Sequence, residues 1–288
     1  MKEEDVVKNY MTNSSVYMIV KRPLLVINNF YINEKQQKIT FEIHDNNGNA
    51  PLKCEFPYVD ILNLNPDSIC IQALFYKKTA DTILPYDTMA GFKILDEKTR
   101  DVIVWYSPQK FIYEFVVNKL PISIEGEIIN YIDYEVLYIG KAFNQKVWDR
   151  LTGHNSFQKI LTLESTENLL SLQNSFEISL LILELSSATK VTHFAPDDRN
   201  IPENAILLDF EDAFEHMGVT EDKLTINHTN DVEALLIRKY MPEYNNIMYE
   251  NYPNIQNGMR DLGYSNTEIY SENFPAILYT EFSKQEVE

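Results

Sequence analysis

The chain has only two cysteines, Cys54 and Cys70, among 288 residues. Two thiols make no disulfide framework, and their spacing fits no metal-ligand pattern. No run of about 18 or more apolar residues occurs, so no membrane-spanning helix is expected. The first residues, Met1-Lys2-Glu3-Glu4-Asp5, are acidic and lack the apolar core of a signal peptide. Gly-rich phosphate loops, Gly-x-Ser-x-Gly elbows and His-Glu-x-x-His pairs are absent, and no internal repeat is visible. His193, His216 and His228 stand far apart without cysteine partners, which excludes a zinc motif. Basic residues are also scarce: 25 Lys and Arg face 43 Asp and Glu, for a formal charge of −18. Such a balance opposes non-specific attraction to phosphate backbones. These absences lead to the expectation of a soluble, cytoplasmic protein with no membrane partner.

The charge is unevenly spread. Residues 1–125 carry 14 basic and 16 acidic groups, whereas residues 161–232 carry 3 and 14. Residues 126–160 are neutral, with 4 of each sign. Apolar residues make up 44 % of the chain, enough for one large core or two ordinary ones.

Residues 1–121 read as a strand-rich domain of no assigned role. Val16 to Val20, Leu24 to Ile32, Ser68 to Tyr76 and Asp101 to Tyr106 are rich in branched and aromatic residues. Ile39, Phe41 and Ile43 alternate with polar neighbours at the period of a half-buried strand. Asn46-Asn47-Gly48-Asn49 then predicts a hairpin turn. His44 and Asp45 are read as decoration of that hairpin. Ser107-Pro108 predicts a helix start, with Ser as cap and Pro where no amide is needed. Pro121 closes that helix.

Residues 122–250 read as a second domain. Strands are expected over 127–132 and 135–141. A short helix follows from Asn144, buried through Val147, Trp148 and Leu151. The near-continuous apolar run Phe176 to Leu185 predicts a buried central strand. Residues 186–229 read as an acidic insert with one short helix near 212–217. A further helix is expected from Asn230 to Tyr240, ended by Pro242. Residues 251–288 form a C-terminal extension, with a strand expected over 276–282.

Within that second domain lie Tyr138-Ile139-Gly140, then Arg150 with His154 four residues on, then Glu233, then Pro242-Glu243-Tyr244-Asn245. Phosphodiester hydrolysis needs an activated water, a cation over the developing charge, and help for the leaving oxygen. One carboxylate can hold Mg²⁺, which keeps most of its waters. An Arg can brace a phosphate with two bonds, and Tyr or His can relay protons.

This ordered set resembles the core of the GIY-YIG nucleases over about residues 127–245. The resemblance implies an α+β fold, with a small antiparallel three-stranded sheet flanked by helices behind the strand-rich domain. It implies metal-dependent cleavage of DNA, with Mg²⁺ or Mn²⁺ at Glu233. Arg150 would hold the phosphate, Tyr138 and His154 would move protons and position groups, and Asn245 would orient the site. The Gly-Ile-Tyr half is not recognisable in Glu125 to Tyr134, and Tyr131 or Tyr134 stands as the candidate for its tyrosine. The 79 residues between His154 and Glu233 exceed the compact pattern.

Each residue also has a plain structural reading. Tyr138 can be a strand aromatic, and Arg150 can pair with Asp149. His154 can sit at a helix end. Asn230 and Glu233 can form a capping box, and Asn245 can close the turn after Pro242. An alternative function follows: a catalytically degenerate GIY-YIG-like fold that binds a protein partner through its acidic insert.

Overall fold

In the computed structural model of the protein, the described residues are 15–76, 84–142, 155–166, 176–186, 188–193, 217–222, 224–249, 256, 258–262, 269 and 276–284. They form a mixed α+β structure with one seven-stranded, one four-stranded and one two-stranded sheet.

The chain begins with β1 (Val16–Pro23) and turns through Leu24 and Leu25 into β2 (Val26–Asn33). β3 (Lys38–His44) buries Ile39, Phe41 and Ile43 on one face, as their alternation predicts. Gly48 stands at φ +81° in the turn that follows, and β4 (Leu52–Phe56) returns antiparallel to β3. Asp45 organises this turn, because its Oδ1 accepts from the backbone amides of Asn47 and Asn49. Next come α1 (Tyr58–Leu62), β5 (Ile69–Phe75), β6 (Met89–Asp96) and β7 (Val102–Tyr106). Helix α2 (Pro108–Val116) starts as expected, with the Ser107 hydroxyl accepting from the Lys110 amide. It ends at Val116, before Pro121, and β8 (Ser123–Glu125) follows.

Strands β2 to β8 form the seven-stranded sheet, in the order β5-β6-β2-β3-β4-β8 with β7 also on β6. Its core is aromatic. Phe30, Phe41, Phe56, Phe92, Tyr106 and Phe111 pack with ring centroids 4.9 to 6.3 Å apart. Phe111 and Ile112 of α2 close one side of it.

The rest of the described chain supplies β9 (Asp133–Lys141), α3 (Asn155–Thr166), β10 (Phe176–Leu183), β11 (Ala188–His193), β12 (Met217–Asp222), α4 (Ile226–Tyr240) and β13 (Ile277–Tyr279). The four-stranded sheet runs β10-β1-β9-β13. Its first three strands are antiparallel, and β13 lies parallel to β9. Apolar clusters cover both faces. Tyr17, Ile19, Leu137, Tyr138 and Ile160 of α3 fill one; Val16, Met18, Ile139, Val232 and Ile237 of α4 fill the other. Burying each such side chain contributes about 1.5–3 kcal/mol.

Several expectations change. β1 lies within residues 1–121, yet it is a middle strand of the four-stranded sheet, so the two sheets do not divide at residue 121. Residues 127–132 are not a strand: Ile128–Tyr131 form a 3-10 turn in which Ile128 and Tyr131 pack into the aromatic core while Ile129 is exposed. β10 is an edge strand rather than a central one. Its apolar run is explained by its two faces, since Ile178, Leu180 and Ile182 meet one cluster and Leu181 and Leu183 the other. Within residues 186–229, β11 and β12 pair antiparallel, and Met217, expected in a short helix, opens β12. The helix expected from Asn144 and residues 212–216 of the other lie outside the described residues. Helix α4 starts earlier than Asn230, and its capping box joins Thr225 and His228 rather than Asn230 and Glu233. Among the described residues, no helix is long and apolar enough to cross a membrane.

The two sheets are joined by the connections β1 to β2 and β8 to β9. Arg22, at the end of β1, is 4 % exposed. Its guanidinium donates to Glu177 at 2.7 Å and to the Tyr134 hydroxyl at 2.9 Å. Gln109 of α2 donates to the same Glu177 carboxylate. This buried pair therefore ties β1, β9 and β10 to the larger sheet.

Candidate active site

The site is organised on the last four residues of β9. Tyr17 of β1 stands opposite Gly140, and Ile19 stands opposite Tyr138. Val20 then pairs with Val136, so Leu137 is the extra residue of a bulge. The bulge turns both Leu137 and Tyr138 toward the same cluster. Tyr17 and Tyr138 lie diagonally across the ladder, with ring centroids 6.1 Å apart and planes tilted by 36°. Gly140 makes this arrangement possible by leaving room. A Cβ there would stand 2.7 Å from Cζ and Oη of Tyr17 and 2.8 Å from Cε1 of Tyr138.

Lys141, the next residue, pairs with Glu233 of α4, Nζ to Oε2 at 2.7 Å. Helix α4 is held by Val232, Ile237 and Tyr240 in the apolar cluster, which brings the Glu233 carboxylate to the end of β9. That carboxylate is 11 % exposed and Lys141 is 32 % exposed. Tyr249 lies close enough for the Glu233 charge to act on it. Burial first, and that charge second, push its hydroxyl above the ordinary tyrosine range.

Asn245 has a structural position within the site. Its Oδ1 accepts from the Ile139 amide at 2.9 Å, and its Nδ2 donates to the Ile139 carbonyl at 2.8 Å. The neighbouring Tyr244 amide donates to the Leu137 carbonyl at 3.1 Å. β13 pairs only with residues 133–135 of β9, so this segment completes the strand where the ladder stops. The chain reaches it from α4 through Met241, which takes the left-handed conformation at φ 45° before Pro242. The Tyr244 hydroxyl donates to Glu164 of α3 at 2.8 Å, and Lys21 donates to the other oxygen of the same carboxylate. Burial and that bond to a carboxylate both favour the neutral phenol of Tyr244.

Asn245 bonds Ile139 and Glu233 pairs with Lys141, both along the end of β9. Tyr138 and Tyr17 instead face the α3 cluster, whereas α4, which carries Glu233, packs on the opposite face. Tyr131 joins none of them. It lies in the aromatic core of the other sheet, donates its hydroxyl to the Ala50 carbonyl, and is pushed up to about 12 by burial. Tyr134 is committed to Arg22. Arg150 and His154 lie outside the described residues. Two residues near the site were missed in the sequence, Tyr17 and Lys141. The signal for Tyr17 was the triplet Ser15-Val16-Tyr17 opening an apolar strand, but more than a hundred residues separate it from Tyr138.

Among the described residues no group of three His, Cys, Asp or Glu side chains could hold a metal ion, and of the residues expected at the site only Glu233 brings a carboxylate. A single carboxylate fits a Mg²⁺ site completed by water and substrate phosphate. Comparison with known proteins finds no family model, no curated relative and no solved structure that matches this chain.

Proposed function

We propose that this chain is a metal-dependent DNA endonuclease of the GIY-YIG kind, its two tyrosine strands separated by an inserted seven-stranded sheet. The observation that carries this reading is Tyr17 lying opposite Gly140 and beside Tyr138 on paired antiparallel strands. Ser15-Val16-Tyr17 then takes the part of the Gly-Ile-Tyr half that is missing before Tyr138, and Tyr131 is no longer needed for it. In this reading Glu233 holds Mg²⁺ or Mn²⁺. The ion, when bound, neutralises phosphate charge and lowers the pKa of a water. Tyr17 and Tyr138 hold the proton relay at their hydroxyl oxygens. Lys141 offsets the phosphate's charge, and Asn245 keeps Ile139, and with it Tyr138, in place. Arg150 and His154 keep the roles the resemblance implies for them, phosphate bracing and proton transfer.

The test is cleavage of supercoiled and single-stranded DNA with Mg²⁺ or Mn²⁺, comparing wild type with Glu233→Ala and Tyr17→Phe. Cleavage by wild type and loss in both folded variants supports the reading. An inert wild type across metals and substrates sinks it.

A second reading has its own observation. The Lys141 ammonium already occupies Glu233, and Tyr17 is fully buried. A degenerate core of this kind would serve as a scaffold, with the acidic segment 186–229 docking a basic protein partner. An inert wild type that binds a polycationic protein through that segment would favour it.

A further inference from the structure

The outer face of β5, β6 and β7 differs from the rest of this acidic chain. Phe92, Ile94, Tyr106 and Ile71 face the aromatic core, so alternation sends their neighbours outward. The register aligns these neighbours in rows: Gln72, Lys93 and Trp105 in one, Cys70, Leu95 and Val102 in the next. None of the outward positions on the three strands, from Cys70 to Trp105, is a carboxylate. Arg100 reaches back over this face and donates to the Cys70 sulfur at 2.8 Å.

The face also exposes apolar surface. Trp105 is 46 % exposed, and Val102 in the next row is comparably open. Lys110, from the first turn of α2, places its ammonium 4.6 Å from the Trp105 ring centroid. The indole is thus held between a cation and solvent. Among the described residues, no carboxylate pairs with Lys93, Arg100 or Lys110. Of the acids around it, two are engaged, while Glu97 and Asp101 lie exposed in the β6–β7 turn beside Arg100. Asp96 accepts from the amides of its own turn, and Glu114 accepts from Asn118.

We propose that this face binds single-stranded nucleic acid, with Trp105 as the stacking platform and Lys93, Arg100 and Lys110 as contacts to the phosphates. The combination is what an unpaired strand requires. An open indole stacks any base, and cations spaced around it follow the backbone. Bases paired inside a duplex cannot reach an indole on a sheet face, so the single strand is preferred. Charge complementarity selects the occupant, because Lys93 and Lys110 flank the open indole without an ion pair among the described residues, on a chain of net charge −18. The surface lies on the inserted sheet and acts without metal, so it stands whether or not the chain cleaves DNA.

The test is fluorescence anisotropy of the full chain with a labelled oligothymidylate of about 15 nucleotides, at low salt and with EDTA present. A labelled duplex of equal length is the comparison. Wild type is expected to bind the single strand more tightly than the duplex. Trp105→Ala should weaken binding about tenfold or more, and Trp105→Phe should restore most of it. Lys93→Glu with Lys110→Glu should weaken binding and flatten its salt dependence. Circular dichroism checks that each variant folds. The proposal is overturned if wild type does not bind, or if Trp105→Ala binds as tightly as wild type. It is also overturned if wild type dimerises in sedimentation and Trp105→Ala is monomeric without change in oligonucleotide affinity. That last result would assign the face to a second copy of the chain.

Discussion

The side chain of Asn245 closes both backbone hydrogen bonds of Ile139, accepting at 2.9 Å and donating at 2.8 Å. One amide here does the work of a neighbouring strand residue. Asn245→Ala leaves a buried amide and carbonyl unpaired, which costs about 1–3 kcal/mol for each group left dry. Urea denaturation should show that loss. Asn245→Asp should also destabilise at neutral pH, because a carboxylate cannot donate to the Ile139 carbonyl.

Gly140→Ala tests the tyrosine pair. The added Cβ meets the far end of the Tyr17 ring at 2.7 Å, so that ring must move. Overpacking of this kind costs about 1–3 kcal/mol. Thermal unfolding should show a modest loss. If Tyr17 and Tyr138 act together in cleavage, activity should fall far more than stability. A cleavage rate that follows only the folded fraction would reduce Tyr17 to a packing residue.

Lys141 and Glu233 separate the two functional readings. Lys141→Met removes the ammonium at 2.7 Å and uncovers the carboxylate. Calorimetric titration with Mn²⁺ should then show tighter metal binding than wild type, and Glu233→Gln should abolish it. In the nuclease reading Lys141→Met nevertheless cleaves more slowly, because a cation near the phosphate is lost. Unchanged metal binding in both variants would remove the metal site from Glu233.

Glu135 gives a dependence on pH. Burial raises its pKa, Lys21 lowers it, and the charges of Glu164, Glu243 and Glu281 raise it further. The side chain is 40 % exposed, so the effect is screened. The folded state holds the proton more tightly than the unfolded state. Stability therefore falls as pH rises from the ordinary carboxylate range through the raised folded value. Glu135→Gln should raise the melting temperature at pH 7, with the difference shrinking below the ordinary carboxylate range. Equal melting curves at pH 7 would show that Lys21, 3.9 Å away, compensates the burial.

Much of this molecule was legible in local sequence. The alternation of Ile39, Phe41 and Ile43, the Asn-Gly turn, and the Ser107-Pro108 cap each operate within a few residues, and the structure follows them. Tyr138, Glu233 and Asn245 stood out as an ordered pattern in the sequence; in the structure Asn245 bonds Ile139 and Glu233 pairs with Lys141, each at a different residue of β9. Errors arose where a local signal has two physical causes. The apolar run of β10 looked like a central strand, because burial of both faces leaves the same trace whether or not both edges are paired. The strand expected over 127–132 failed because Ile128 and Tyr131 are apolar for the sake of a neighbouring core, not for a ladder.

By itself, then, the sequence determined the strands and turns, the strong acidity, and the identity of the polar groups grouped on β9. Only the tertiary structure decided that β9 pairs with β1, and so that Tyr17 rather than Tyr131 stands beside Tyr138. An antiparallel ladder requires matched register and compatible faces, not nearness along the chain. The cost of closing a loop grows only slowly with its length. A folded seven-stranded sheet can therefore lie between two paired strands while they still meet, and no local pattern records that they do.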